Sequence, residues 1–278
     1  MIARAPRASA VSIAGLDPSG GAGLAADLRA FAAAGVWGGA VCAALTVQST
    51  RGVVRVKAVA APLVVAQAEA LFEDLDVGAV KVGALGSTAN VRAVTKLARA
   101  RDGVPFVVDP VGAPSRGPAA SRLDGGARIA ALLGLARAST LVTPNLAEAA
   151  ALLGVEAITA RDAADAARAL VDLGVQAALV KGGHARGAES IDWFATRAGV
   201  HRVATPRRPR LDVHGTGCAL SALVAGHLAS RRDREPDDAA LLAAVRWARA
   251  RLDAALATPL SVGGGMQVID VDARERGS

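Results

Sequence analysis

The chain has 278 residues, of which 52% are hydrophobic, only 3% are aromatic and none is tyrosine. This length suits a single α/β domain over 1–278, with flexible tails expected at about 1–9 and 270–278. The net charge of +7 comes mostly from arginines scattered along the chain, which argues against a nucleic-acid surface. No signal-peptide core, membrane span or disulfide framework is recognisable, so a cytoplasmic protein is expected.

Short β-branched runs alternate with longer segments rich in Ala and Leu. The strands are expected, in chain order, at 11–15, 41–47, 53–59, 79–82, 105–109, 140–143 and 177–180, with a hairpin of 191–195 and 200–204. The helices are expected at 20–34, 62–74, 88–101, 127–138, 146–153, 161–173, 217–231 and 236–256. This alternation predicts βαβ units, and therefore a mainly parallel sheet with helices on both faces.

Several polar residues fall where the predicted strands end, at Asp17, Asp109, Asn145 and Lys181. In open α/β sheets, ligands bind outside the carboxyl ends of the strands. These side chains are therefore expected to gather at one edge of the sheet and to form the functional site.

A glycine-rich run, 20–23, joins the first strand to the first helix. Residues 21–26 fit a loose dinucleotide-binding fingerprint, which needs an acidic residue about 20 positions further on. No Asp or Glu occurs between Asp27 and Glu69, and no Gly-Lys-Ser/Thr closes a P-loop. The run is either a tight turn or a stretch of backbone that closes over a small ligand.

The segment 212–218, just before the helix expected at 217–231, is the most informative of the chain. Its glycines, Gly215 and Gly217, expose backbone N–H groups at a helix N-terminus, where the helix dipole favours anions. Cys218 would lie in the first turn, where a thiol has a lowered pKa and serves as a base or nucleophile. The alternative for Cys218 is a buried apolar residue, and His214 fits an ordinary surface histidine.

Two further groups carry chemistry at strand ends. Lys181 is one of only four lysines and precedes Gly182-Gly183-His184. It would pair with a polyphosphate, or it is a surface-loop lysine. Asp109, Asn145 and Glu148 offer oxygen ligands for Mg²⁺, directly or through water. Asn145 and Glu148 also match a helix N-cap with a capping box, and the two roles are compatible.

Taken together, these segments resemble the hydroxymethylpyrimidine kinases of the ribokinase-like superfamily. The matching stretches follow one another in family order and are 13–24 with 26–28, 44–53, 81–83, 109–111, 143–145, 181–184 and 214–218. Singly most of these stretches are unspecific, but collectively they are specific. They extend over the chain from about residue 11 to 230.

The resemblance implies a ribokinase-like α/β fold, with a central, mostly parallel sheet flanked by helices on both faces. It implies ATP-dependent phosphorylation, assisted by Mg²⁺, of 4-amino-5-hydroxymethyl-2-methylpyrimidine and its monophosphate in thiamine biosynthesis. The pyrimidine would be bound by five residues, which are Gly15, Asp27, Gln48, Ala84 and Val111. A homodimer is a family expectation.

The same resemblance assigns the catalytic machinery. An anion hole over 215–218 would hold the phosphoryl group, with Cys218 as base and Gly215, Gly217 and Lys181 as the other catalytic groups. The residues expected at ATP are Lys181, Asn145 and Thr216, and those expected at the metal are Asp109, Asn145 and Glu148.

Departures from the family pattern leave the substrate open. Relatives usually carry Met at the positions of Ala84 and Gly112, so the pocket is expected to be wider here. A pyridoxal or pyridoxine kinase of the same subgroup is therefore an alternative. A catalytically silent pyrimidine-binding protein is a second alternative, against which Lys181 and Cys218 speak. A dehydratase of the same fold is weaker, because it would not need Gln48 and Cys218 as placed.

Overall fold

The computed structural model describes residues 8–112, 125–182, 188–208, 213–232 and 234–271. The strands in these ranges are β1 Ser9–Leu16, β2 Trp37–Ser49, β3 Gly52–Ala58, β4 Val77–Val82, β5 Phe106–Val108, β6 Leu141–Val142, β7 Ala178–Lys181, β8 Glu189–Thr196, β9 Gly199–Pro206, β10 Val213–His214 and β11 Gln267–Val268. The helices are α1 Gly23–Ala33, α2 Ala61–Asp74, α3 Thr88–Arg99, α4 Gly125–Arg137, α5 Leu146–Leu153, α6 Ala163–Asp172, α7 Thr216–Arg231 and α8 Asp238–Leu256.

Every helix expected from the sequence is present, and so is every expected strand. Ser9, which was expected in the N-terminal tail, pairs with Val77 and Trp37 at the start of β1. At the other end Val271 is buried. No described helix combines the length and the apolar character that crossing a membrane would require.

The main sheet has the strand order β3-β2-β1-β4-β5-β6-β7-β8-β9. The strands from β2 to β7 in this order are parallel, whereas β3 and β8 run antiparallel to their neighbours. The fold class expected from the sequence is therefore confirmed. All six parallel strands end at the same edge, which brings together residues that are far apart in the chain.

Alternation along the strands divides the core into two layers. In β5, Phe106 and Val108 face one layer with helices α2 to α6, and Val107 faces the other with α1, α7 and α8. Because both faces of the sheet are covered, its central strands are apolar throughout. Lys81 of β4 and Ser12 of β1 are exceptions, since both are fully buried and contact Asp27 of α1.

A second, two-stranded parallel sheet was not expected from the sequence. Val213 pairs with Gln267 and His214 with Val268, so β11 runs beside the segment that leads into α7. The stretch 260–268, here called the C-terminal strap, also reaches the turn between β2 and β3, where Met266 N donates to Thr50 O at 2.8 Å. Two-residue strands carry too little periodicity to be recognised in a sequence.

Candidate active site

The carboxyl edge of the sheet assembles a cation and a carboxylate from distant parts of the chain. Lys181, the last residue of β7, places Nζ 2.7 Å from Asp109 Oδ1, which follows β5. The Asp109 side chain is almost fully buried and that of Lys181 is 14% exposed. Burial would lower the pKa of Lys181, but the carboxylates of Asp109 and Glu148 outweigh it and raise that pKa. The lysine is therefore a permanent positive charge.

The glycine-rich segment before α7 faces this lysine. Gly215 is the N-cap of α7 in the left-handed region, at φ 80°, and no side chain caps the helix. A Cβ placed on Gly217 would lie 3.1 Å from Lys181 Nζ and 3.7 Å from Asp109 Oδ2. The uncapped N–H groups of the first turn therefore stand beside a buried ammonium, which is the arrangement that binds a phosphoryl group.

Close packing fixes the shape of this loop. A Cβ on Gly215 would lie 2.0 Å from Gly21 O, and one on Gly23 would lie 2.2 Å from Gly15 O. The glycine run 20–23 is thus a tight turn at the start of α1, and it packs directly against the segment before α7. The backbones of the glycine run and of the segment before α7 lie so close together that a side chain at Gly215 would not fit between them.

Cys218 lies in the first turn of α7, but its ionisation differs from the sequence-based expectation. Burial raises the pKa of the thiol to about 11; Lys81 and a hydrogen bond from the Gly23 N–H oppose the shift, and nearby carboxylates add to it. The prediction of a lowered pKa is therefore wrong. The helix N-terminus is outweighed by lost hydration and by the negative charges of Asp109 and Asp27.

Asn145 and Glu148 form the capping box that the sequence allowed. Asn145 Oδ1 accepts from Glu148 N at 2.9 Å, and Glu148 Oε2 accepts from Asn145 N at 2.8 Å. Burial raises the pKa of Glu148 to about 7, with Lys181 opposing the shift. Among the described residues, no group of three or more His, Cys, Asp or Glu side chains is arranged to hold a metal ion.

This geometry limits the metal site expected from the sequence. One oxygen of Asn145 and one oxygen of Glu148 already accept hydrogen bonds from the backbone N–H groups at the start of α5. The carboxylates still suit Mg²⁺, which keeps several waters and binds through one or two carboxylates together with substrate phosphates.

The residues expected at the pyrimidine fall into two groups. Gly15 is buried at the end of β1, where a Cβ would lie 3.6 Å from Ala84 O, and Val111 N donates to Asp109 O at 2.8 Å. Gln48, near the tip of β2, places Nε2 2.9 Å from His214 Nε2. These four positions lie around the same edge as Lys181.

Asp27 differs from that group, because partners within the protein hold its carboxylate. Both of its oxygens accept from Lys81 Nζ, at 2.9 and 2.8 Å, and Ser12 Oγ donates to it at 2.6 Å. The Asp27 and Lys81 side chains are both 0% exposed. The Asp27 carboxylate is therefore part of a closed ion pair inside the fold.

Sequence reasoning missed two residues of the site. His214 is not a surface histidine: its side chain is 13% exposed, and Nε2 lies 3.1 Å from Asp17 Oδ2. Asp17 was recognised only as a polar strand end, and its pairing with a residue 197 positions away has no local signal. Thr216 is half-buried as the first residue of α7. Gly183 and His184 of the lysine motif lie outside the described residues.

The fold and the site together define a small-molecule kinase of the ribokinase-like class. Comparison with known proteins identifies the family. The model of the phosphomethylpyrimidine kinase family matches residues 17–270, and the chain belongs to this family.

Individual relatives agree with this assignment. The hydroxymethylpyrimidine/phosphomethylpyrimidine kinase of Rhizobium meliloti is 44% identical, over 93% of this chain and 94% of its own length. The enzyme of the same name from Escherichia coli is 40% identical, over 79% of this chain and 82% of its own. The kinase and the pathway expected from the sequence are thus confirmed at the level of the family.

Solved structures show the same fold. Pyridoxal kinase from Staphylococcus aureus, in complex with AMP-PCP and pyridoxal, superposes with a TM-score of 0.83 at 26% identity, covering 98% of this chain and 96% of that one. Phosphomethylpyrimidine kinase from Clostridium difficile superposes with a TM-score of 0.72 at 28% identity, covering 89% and 99%.

Proposed function

We propose that this chain transfers a phosphoryl group from ATP to the hydroxymethyl oxygen of 4-amino-5-hydroxymethyl-2-methylpyrimidine, and a second one to the resulting monophosphate. The observation that carries the proposal is the convergence of Lys181, Asp109 and the uncapped N-terminus of α7 at one edge of the sheet. Membership of the family supports the choice of substrate.

The phosphate end of the site acts by charge. Phosphoryl transfer passes through a loose transition state, so positioning and neutralisation of charge contribute most of the catalysis. We assign the transferring group to the N–H groups of 215–218, with Lys181 beside them and Thr216 near the nucleotide. Asp109 and Glu148 would hold Mg²⁺, with Asn145 acting through water, and the ion would supply positive charge that offsets the charge of the phosphates.

Cys218 would receive the proton of the substrate hydroxyl. A thiol with a pKa of about 11 is almost entirely protonated at neutral pH, so only the small fraction present as thiolate can accept the proton of the hydroxyl. In a loose transition state the proton leaves late, when the attacking oxygen has become strongly acidic, so this base contributes modestly.

The substrate end of the site is mostly apolar and offers few polar contacts. Gly15 and Ala84 leave room for the ring, Val111 lies beside Asp109, and Gln48 offers the carboxamide that reads the ring edge. A cytoplasmic location, a single domain and a homodimer belong to the same proposal; size-exclusion chromatography with light scattering tests the dimer.

The experiment is a substrate panel with Mg-ATP, in which ADP release is measured for wild type and for Cys218→Ala. We expect kcat on the alcohol to fall about 10²-fold, the low end for a general base. The second transfer should change much less, because its acceptor is already an anion. Cys42→Ala, which alters the other cysteine away from α7, is the control. Absence of turnover by wild type would contradict the proposal.

A vitamin B6 kinase is the second candidate. The pyridoxal kinase from Staphylococcus aureus superposes better than the phosphomethylpyrimidine kinase from Clostridium difficile, and small Ala84 and Gly112 suit a larger ring. Parallel measurement of kcat/KM for the pyrimidine alcohol and for pyridoxal decides between the two, since a preference for pyridoxal would replace the first proposal.

A further inference from the structure

One ring nitrogen of His214 lies within hydrogen-bonding distance of two different partners. Nε2 is 3.1 Å from Asp17 Oδ2 and 2.9 Å from Gln48 Nε2. A nitrogen that carries a proton donates to acceptors, and one that lacks it accepts from donors. The charge of Asp17 therefore constrains how the Gln48 amide faces the ring.

Asp17 is held as a carboxylate. Its Oδ1 accepts from Ser19 N at 2.9 Å and from Ser19 Oγ at 2.7 Å, and its Oδ2 accepts from Ala22 N at 3.0 Å. Burial raises the pKa of Asp17, but the hydrogen bonds from His214 and Ser19 outweigh this and hold the pKa below its usual value. An ionised oxygen 3.1 Å from Nε2 requires a proton on that nitrogen, since a bare lone pair there would be repelled.

A protonated Nε2 of His214 is a donor, so within the Gln48 amide only the oxygen can accept its hydrogen bond. The two ends of a carboxamide exchange places by a half-turn about its last torsion, and hydrogen bonding decides which end faces a neighbour. With Oε1 toward the ring, the Nε2–H of His214 is shared between Asp17 and Gln48. With the amide nitrogen toward the ring, two donors face each other.

We propose that His214, held by Asp17, is a positioning residue that fixes the polarity of the Gln48 amide and thereby selects 4-aminopyrimidines over 4-oxopyrimidines. This inference rests on the proposed function, in which Gln48 reads the ring. With its oxygen fixed by His214, the amide offers an acceptor to the 4-amino group and a donor to the adjacent ring nitrogen.

A 4-oxopyrimidine presents the opposite edge. Its ring nitrogen carries a proton and its 4-position is a carbonyl, so acceptor faces acceptor and donor faces donor. A free glutamine would turn over to accommodate this analogue, but one fixed by His214 would not. Sites that hydrogen-bond a substrate reject mismatched analogues strongly, because buried polar groups are left unpaired.

The packing around His214 holds this contact in place. β10 and β11 pair His214 with Val268, and the C-terminal strap joins the same strand to the turn beside Gln48. A Cβ on Gly265 would lie 2.3 Å from Thr50 O, and one on Gly21 would lie 2.9 Å from His214 Cδ2. Gln48 and His214 therefore cannot move apart unless the contacts of the C-terminal strap loosen.

The test compares two alcohols, 4-amino-5-hydroxymethyl-2-methylpyrimidine and its 4-oxo analogue, as substrates with Mg-ATP. We expect wild type to prefer the amino compound by ~10³-fold or more in kcat/KM. His214→Leu should reduce this preference at least ~10-fold, because Gln48 then turns freely. His214→Gln, whose amide N–H reaches both partners, should keep the preference within ~3-fold of wild type.

A spectroscopic measurement separates positioning from loss of structure. In protein labelled with ¹⁵N-histidine, the Nε2 resonance that disappears in His214→Gln should report a protonated nitrogen in wild type. Asp17→Asn should move it toward the unprotonated position and lower the preference for the amino compound. The resonance itself can be read without turnover.

The outcomes are distinct from those of the proposed function. If wild type phosphorylates neither alcohol, the proposed function fails, whatever the resonance shows. If wild type is active and His214→Leu keeps the full preference, or if Nε2 is unprotonated, the present inference is overturned and the kinase assignment stands.

Discussion

The protein contains two lysine–aspartate pairs on its central sheet, and they differ in how completely they are enclosed. Lys81 contacts both oxygens of Asp27, and neither side chain is exposed. Lys181 contacts one oxygen of Asp109 and keeps 14% of its side chain accessible, beside the glycines before α7. The same two residue types therefore build a closed pair inside the fold and an open pair at its edge.

This difference in burial separates a pair that stabilises the fold from a pair that can contact a ligand. A fully buried pair offsets its own desolvation only while both partners are present, and it has no means to exchange one partner for a ligand. In the pair at the edge, the Asp109 side chain is also buried, but the Lys181 side chain keeps an accessible part with which it can reach a phosphate. Position along the strand decides the outcome, since Lys81 lies within β4 and Lys181 ends β7.

The largest expected effect is on the closed pair. Lys81→Met leaves the Asp27 carboxylate buried without its cation and should lower the free energy of unfolding by about 3–5 kcal/mol. Urea denaturation monitored by circular dichroism measures this. The double variant Lys81→Met/Asp27→Leu should recover most of the loss; a single variant as stable as wild type would show that the pair is not closed.

The open pair should respond in activity more than in stability. Lys181→Met removes a charge next to the transferring phosphoryl group and should lower kcat/KM about 10²–10³-fold. Its free energy of unfolding should also fall, because the Asp109 side chain is only 3% exposed, but by less than in Lys81→Met, since Asp109 loses one lysine contact and Asp27 loses two. Denaturation and steady-state assays on the same preparation test both parts, and a stability loss equal to that of Lys81→Met would remove the distinction.

The charged groups of both pairs act on the Cys218 thiol. Its raised pKa should give the smallest of the expected effects, a change in the free energy of unfolding with pH. The thiol has a pKa of about 11 in the folded protein, against an ordinary value of 9.0. The folded state therefore holds its proton more tightly between these values, and the free energy of unfolding falls as pH rises from 9 to 11. The loss should be about 2 kcal/mol at most.

Cys218→Ala is the control for this pH effect. The difference in unfolding free energy between wild type and the variant should stay constant from pH 7 to 8 and should shrink above pH 9. Denaturation at each pH measures it. A difference that is unchanged up to pH 11 would show that the thiol has an ordinary pKa.

Local signals explain what could be predicted. The capping box joins Asn145 and Glu148, which lie three positions apart, so spacing alone identifies it. Lys181 was expected at the carboxyl edge of the sheet because it ends a predicted strand, and its meeting with the glycines of 215–217 was implied by the family resemblance. By contrast, the role of Asp27 depended on which side chain α1 turns inward, and its partner Lys81 lies 54 residues further on.

The sequence by itself determined the alternation of strands and helices, the glycine-rich loop before α7 and the residue types of a phosphoryl-transfer site, because these depend on periodicity and short spacing. The tertiary structure alone decided that Asp27 is a closed ion pair, that the Cys218 thiol holds its proton, and that Asp17 and Gln48 meet at one nitrogen of His214. Burial and contacts between distant segments govern all three, and neither can be predicted from short stretches of the sequence.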